Sequence, residues 1–227
     1  METDDYLVWT AGGTLLLIAA GVTPAQRQAV LDSLLYCQLR ANKVVGSRFL
    51  DYPPWYGRYR KELSERGWII TQFFHDTQSA GACSLLAPIQ PLRLWLDSQF
   101  PSADNVIEQG LVRLNRAQSS LDGFRGFTFE SSQCGTRLAL EIGLVHPGPV
   151  INLCSIALHT SEAAERVNIE GPLLARALQG EVVVKGLSAQ LDVERFELQR
   201  AQLRTLIEHK QQERGDLLHR VPGDAHE

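Results

Sequence analysis

The chain lacks most of the features that mark catalytic or exported proteins. It has four cysteines in 227 residues, Cys37, Cys83, Cys134 and Cys154, with no Cys-x-x-Cys pair and none of the dense spacing of a disulfide framework. A reducing compartment is therefore expected. Asn-x-Ser/Thr is absent, and Glu2, Asp4 and Asp5 stand where an export signal carries Lys or Arg, so the expected location is the cytoplasm. Also missing are Gly-x-Gly-x-x-Gly, a Walker loop, Gly-x-Ser-x-Gly and His-Glu-x-x-His. Rossmann redox chemistry, nucleotide hydrolysis, α/β-hydrolase catalysis and zincin proteolysis thus lose their usual support. The histidines, His75, His146, His159, His209, His219 and His226, show no ligand spacing, so neither a metal nor a cofactor is expected. Basic charge is short as well. With 22 Lys+Arg against 26 Asp+Glu the net charge is −4, which gives no electrostatic reason to expect nucleic acid as a partner.

What remains is an ordinary globular composition, 44% hydrophobic and 21% charged, sufficient for a sizeable core. The longest uncharged run, Tyr6 to Gln26, has 21 residues and includes Leu15-Leu16-Leu17-Ile18. Its length suits a membrane span, and a membrane-active, toxin-like protein is one reading of it. Gly12-Gly13, Gly21 and Pro24 interrupt the run, which favours a buried strand or core helix instead. Thr23-Pro24 reads as an N-cap and first helical residue.

Apolar positions at helical spacing predict an amphipathic helix from residue 24 to about 42, with Cys37 inward. Pro53-Pro54 opens a second helix that carries Trp55, Tyr59 and Leu63 on one face and stops at Gly67. Trp68 to Phe74 reads as a buried strand followed by a polar turn, His75 to Gly81. Helices follow near 89–98 and 102–116, the second capped by Ser102. From Phe127 onward the periodicity is that of strands, and His146-Pro147-Gly148-Pro149 joins two of them. With Pro147 and Gly148 as its central residues, Cys134 and His159 share a face. A short helix at 172–178, a strand at 181–185 and a long helix from Asp192 to Gly215 complete the chain. The expected fold is α+β: one domain over residues 1–218, a helix-rich N-terminal half packed on an antiparallel sheet, with a long C-terminal helix. A polar flexible tail over 219–227 would follow.

Three groups of residues are candidates for function. Cys134 with His159 could form an activated thiol, oriented by Glu130. His75 with Asp76 could supply a base and its carboxylate neighbour at a strand end. The third is the segment Arg40 to Arg66, with seven basic and three acidic residues in a chain that is otherwise acidic. Within it Tyr52, Trp55, Tyr56, Arg58, Tyr59, Arg60 and Lys61 mix aromatic and basic side chains in a manner suited to an interface or a stacking surface. The leading expectation is a non-catalytic interaction or assembly module that binds a protein partner or itself as a homo-oligomer. A membrane-active protein and an enzyme of unrecognised class with a Cys/His site are the alternatives.

Overall fold

A computed structural model describes residues 6–79, 85–215 and 217–223. Cys83, Ala80 and Gly81 of the expected turn, and His226 lie outside the described residues. The uncharged N-terminal run forms a hairpin of β1 (Tyr6–Ala11) and β2 (Thr14–Ala19), turned by Gly12 at φ 53° and Gly13. A positive φ suits glycine, which has no Cβ to clash there. The apolar run is uninterrupted because β2 is covered on both faces: Leu15 and Leu17 enter one core, Leu16 and Ile18 the other. Full burial of each contributes about 1.5–3 kcal/mol. Among the described residues no helix is long and apolar enough to cross a membrane.

Helix α1 (Pro24–Val45) starts where expected. The Thr23 hydroxyl accepts from the Gln26 amide and the Gln26 side chain accepts from the Thr23 amide, a reciprocal cap. Helix α2 (Tyr52–Glu65) carries its prolines in the first turn, where no intrahelical donor is lost. Strand β3 (Trp68–Ser79) runs through the expected polar turn and is mostly exposed rather than buried. The short β4 (Leu85–Leu86) precedes α3 (Gln90–Gln99), α4 (Ala103–Arg116) and α5 (Gln118–Thr128). Ser102 stands at the start of α4 but at φ 77° and without a side-chain capping bond. Strands β5 (Phe129–Ser132), β6 (Gly135–His146), β7 (Val150–Thr160), β8 (Leu173–Leu174) and β9 (Leu178–Leu191) lead to α6 (Val193–Glu213) and β10 (Leu218–Arg220).

The architecture is α+β, with six helices among the described residues and a main sheet ordered β10-β1-β2-β6-β7-β9-β3, β5 pairing the start of β6. The sheet is mixed, not purely antiparallel, because β2 runs parallel to β6. Helices α1, α2 and α6 cover one face and α3, α4 and α5 the other, each closing its own hydrophobic core. The expected tail is also corrected. Leu218–Arg220 pairs with β1, and Val221 is 2% exposed. A single added strand at a sheet edge needs only three residues, too few to show periodicity.

Candidate functional site

Residues 52, 55, 56, 59 and 63 make one continuous helical stripe, and that stripe faces the sheet. Tyr52, Trp55, Tyr56 and Tyr59 are all buried, with Trp55 stacked between Tyr52 at 5.8 Å and Tyr59 at 5.3 Å. The Trp55 indole donates to Asn42 at 2.7 Å. The basic residues are absorbed likewise. Glu62 is fully buried and gathers Arg58, Arg40 at 3.6 Å and Arg66 at 3.7 Å, while Lys61 lies 3.9 Å from Glu65. Arg60 covers the ring of Phe73 at 4.3 Å. The expected stacking surface on α2 is therefore corrected: its aromatics belong to the core, and the positive charge of Arg40, Arg58 and Arg66 is spent on one carboxylate.

Beneath α2 the strand registers align a row of polar residues across the sheet. Thr14 pairs with Glu141, Glu141 with Ser155, Ser155 with Lys185, and Lys185 with His75. The Thr14 hydroxyl donates to Glu141 at 2.8 Å and the Tyr59 hydroxyl to the same oxygen at 3.0 Å. Tyr52 donates to Ser155 at 2.7 Å, and Ser155 in turn to the Lys185 carbonyl at 3.3 Å. Gln38 ties the hairpin to this row, donating to Ala11 O and Thr14 Oγ1 and accepting from Gly13 N. Arg48 joins it from the side, donating to the Phe127 carbonyl and to Gln38.

Burial raises the Glu141 carboxyl above its ordinary range despite those hydrogen bonds and the Arg48 charge. It also pushes the hydroxyls of Tyr52, Tyr56 and Tyr59 up, and Glu141 adds to each shift. Lys185 is shifted down, by burial and then by the charge of Arg60. Burial favours the neutral form, so around Glu141 the row holds hydroxyls and a carboxyl away from solvent. Sequence reasoning missed Glu141 and Lys185. Their signal was a single charge inside an apolar run, Leu140-Glu141-Ile142 and Val184-Lys185-Gly186.

The Cys134/His159 pairing is corrected by one residue of register. His146 opposes Val150, so the connection holds three residues, not two, and His159 falls opposite Arg137. Cys134 lies in the turn before β6 and is exposed, whereas Cys37 and Cys154 are buried. A one-residue slip moves side chains to the other face, which separates thiol from imidazole. His75 and Asp76 are consecutive in β3 and point to opposite faces. His75 contacts Thr77 at 2.8 Å, and Asp76 accepts from Gln78 at 2.7 Å. They do not act as a pair. Glu130 is held by Arg137 at 3.1 Å. Among the described residues no group of His, Cys, Asp and Glu could hold a metal ion.

Strand β3 is the most open element. It closes one end of the sheet order and, among the described residues, pairs only with β9. Its irregularity at Ile70/Gln72 leaves a regular stretch from Gln72 to Ser79. Phe73 and Phe74 project to opposite faces, 43% and 37% exposed, each braced by a ring from the neighbouring helix: Phe73 by Tyr56 at 6.4 Å and Phe74 by Trp95 at 6.5 Å. Beside Phe74 an open groove of about 480 Å³ is lined by Leu85, Leu86, Pro91, Leu94 and Trp95. No protein-family model matches the chain, and no curated protein matches it significantly.

Proposed function

We propose that the protein is a non-catalytic assembly module whose copies join by antiparallel pairing of β3. The observation that supports this reading is the strand itself: twelve residues at a sheet edge, without Lys, Arg or Pro, and with a partly exposed phenylalanine on each face. Unpaired backbone donors and acceptors along such an edge recruit another strand, and edges that stay single are protected by charge, proline or brevity. The opposite end of the sheet is β10, only three residues long.

Two copies joined antiparallel are related by a two-fold axis normal to the sheet, so opposed residues lie on the same face. A register centred on Phe74 places the two Phe74 rings together at the axis and Asp76 opposite Gln72. A register centred on Asp76 brings two carboxylates face to face and is disfavoured. The pairing extends the sheet through the axis and buries both phenylalanines, with the adjoining groove available to side chains from the second copy.

Light scattering on the eluting native protein tests this. The expected result is a dimer mass for wild type and a monomer mass for Phe74→Lys, with the two far-UV spectra superimposable. A monomeric wild type at high concentration, or a Phe74→Lys variant that remains dimeric, overturns the proposal. Charge reversal at Arg58 and Lys61 is a poorer probe, since Arg58 neutralises the buried Glu62.

A further inference from the structure

The groove beside Phe74 combines a wide apolar wall with one charge. Leu85 and Leu94 are 54% and 64% exposed and line it together with Phe74, so exposed hydrocarbon converges on one depression of about 480 Å³. That volume is in the range of small-molecule sites, which pair apolar walls with a few fixed polar groups. Phe74, Asp76 and Gln78 alternate along β3 and so share this face of the sheet. Asp76 is the only charged side chain lining the groove among the described residues. It is half-buried, the Gln78 amide donates to its Oδ2 at 2.7 Å, and no Lys or Arg forms an ion pair with it among the described residues. One carboxylate oxygen therefore remains for a donor.

A carboxylate beside apolar surface favours a ligand that offers both a cation and a hydrocarbon body. The N-terminus of α3 opens on the same groove, and a helix N-terminus with free amides draws anions. Here the first amides are spent or missing: that of Gln90 donates to the Ala87 carbonyl at 2.9 Å, and Pro91 has none. The charge of the groove is thus set by Asp76. We propose that the groove binds a small organic ammonium, a primary amine carrying an aromatic or bulky aliphatic group. The ammonium donates to the remaining oxygen of Asp76, and the hydrocarbon body covers Leu85, Leu86 and Leu94. Phe74, stacked with Trp95 at 6.5 Å, offers an aromatic ring beside the cation. Every lining residue belongs to one copy of the chain, so the site does not depend on β3 pairing.

Titration of the full chain with naphthylethylammonium, naphthylethanol and naphthylpropanoate, followed by amide chemical shifts, tests the site. Wild type is expected to bind the ammonium saturably and about tenfold more tightly than the alcohol, the worth of one charge-assisted hydrogen bond at a half-buried position. The propanoate, repelled by Asp76, should bind most weakly. Asp76→Asn is expected to bring the ammonium down to the affinity of the alcohol while leaving the alcohol unchanged. Leu94→Lys, at an exposed position of α3, places a like charge in the groove and should abolish ammonium binding. Equal affinity of wild type for ammonium and alcohol, a preference that survives Asp76→Asn, ammonium binding that survives Leu94→Lys, or no shift with any of the probes overturns the proposal.

Discussion

Two neighbouring rows of residues cross the same strands one position apart and differ wholly in chemistry. The row under α2 reads Thr14, Glu141, Ser155, Lys185 and His75; the row on the opposite face reads Leu15, Ile142, Cys154, Gly186 and Phe74. The second is an apolar core closed by Trp95, which fits over Gly186: a Cβ there would come within 2.5 Å of the indole. Apolar contact is non-directional and tolerates small shifts of register. The polar row is directional, since each hydroxyl or carboxylate has one geometry that satisfies it, and a slip by one residue would bury Glu141 among Leu and Ile. The α2 face therefore specifies the register of the sheet, and the α3 face supplies bulk stability.

The sharpest way to break that comparison is to remove Glu141. Glu141→Ala leaves the Thr14 and Tyr59 hydroxyls without their acceptor and removes a negative charge that favours the protonated Arg48. The expected loss in urea unfolding is about 2–4 kcal/mol, from two buried hydroxyls left without an acceptor. Ile142→Val, the adjacent residue on the apolar row, should cost about 0.5–1.5 kcal/mol. Equal costs would show that the polar row is only filler. Next in size, Gly186→Ala forces Trp95 off the sheet and should cost about 1–3 kcal/mol, read by near-UV dichroism as well as by melting. Ser155→Ala, one strand away on the polar row, strands the Tyr52 hydroxyl at a comparable cost.

The two charged members of the row titrate with opposite consequences. Glu141 has a raised pKa in the folded protein, so its contribution is complete below the ordinary carboxyl range and is lost as pH rises through the raised value. Glu141→Gln should remove that decline. Lys185 has a lowered pKa, so the folded state binds fewer protons than the unfolded chain between the lowered value and 10.5. Wild type should gain stability with pH across this window, whereas Lys185→Met should lack the slope.

Much of the fold was legible where local signals agree. The Thr23-Pro24 start of α1, the Pro53-Pro54 start of α2 and the inward stripe of Trp55, Tyr59 and Leu63 all follow from capping, proline and periodicity. Helix α5 was missed because Gly123 and Gly126 lower its propensity and it is held by Phe124 in the core. The β6–β7 register failed by one residue because Pro149 belongs to the connection. That single shift removed the Cys134/His159 site. Of the polar row only the lone charges of Glu141 and Lys185 in apolar runs were legible; the row itself is assembled from strands far apart in the chain and exists only once β2 lies parallel to β6.

The smallest expected effect distinguishes the two faces without altering them. Cys37 sits on α1 in the core of the polar face, and Cys154 sits on the central strand β7 in the core of the apolar face. Burial raises both thiols, so neither should react with a thiol reagent in the native state. With Cys83→Ser and Cys134→Ser, these two report alone. Cys37 is released when α1 lifts from the sheet, a local opening that leaves the strand ladders intact. Cys154 requires separation of α3 from a central strand bonded on both sides by β6 and β9. Local openings occur at lower free energy than those of central strands, so in sub-denaturing urea Cys37 should label before Cys154. Simultaneous labelling, at the rate of global unfolding, would mean that the two faces form one cooperative unit and that the polar row stabilises both cores alike.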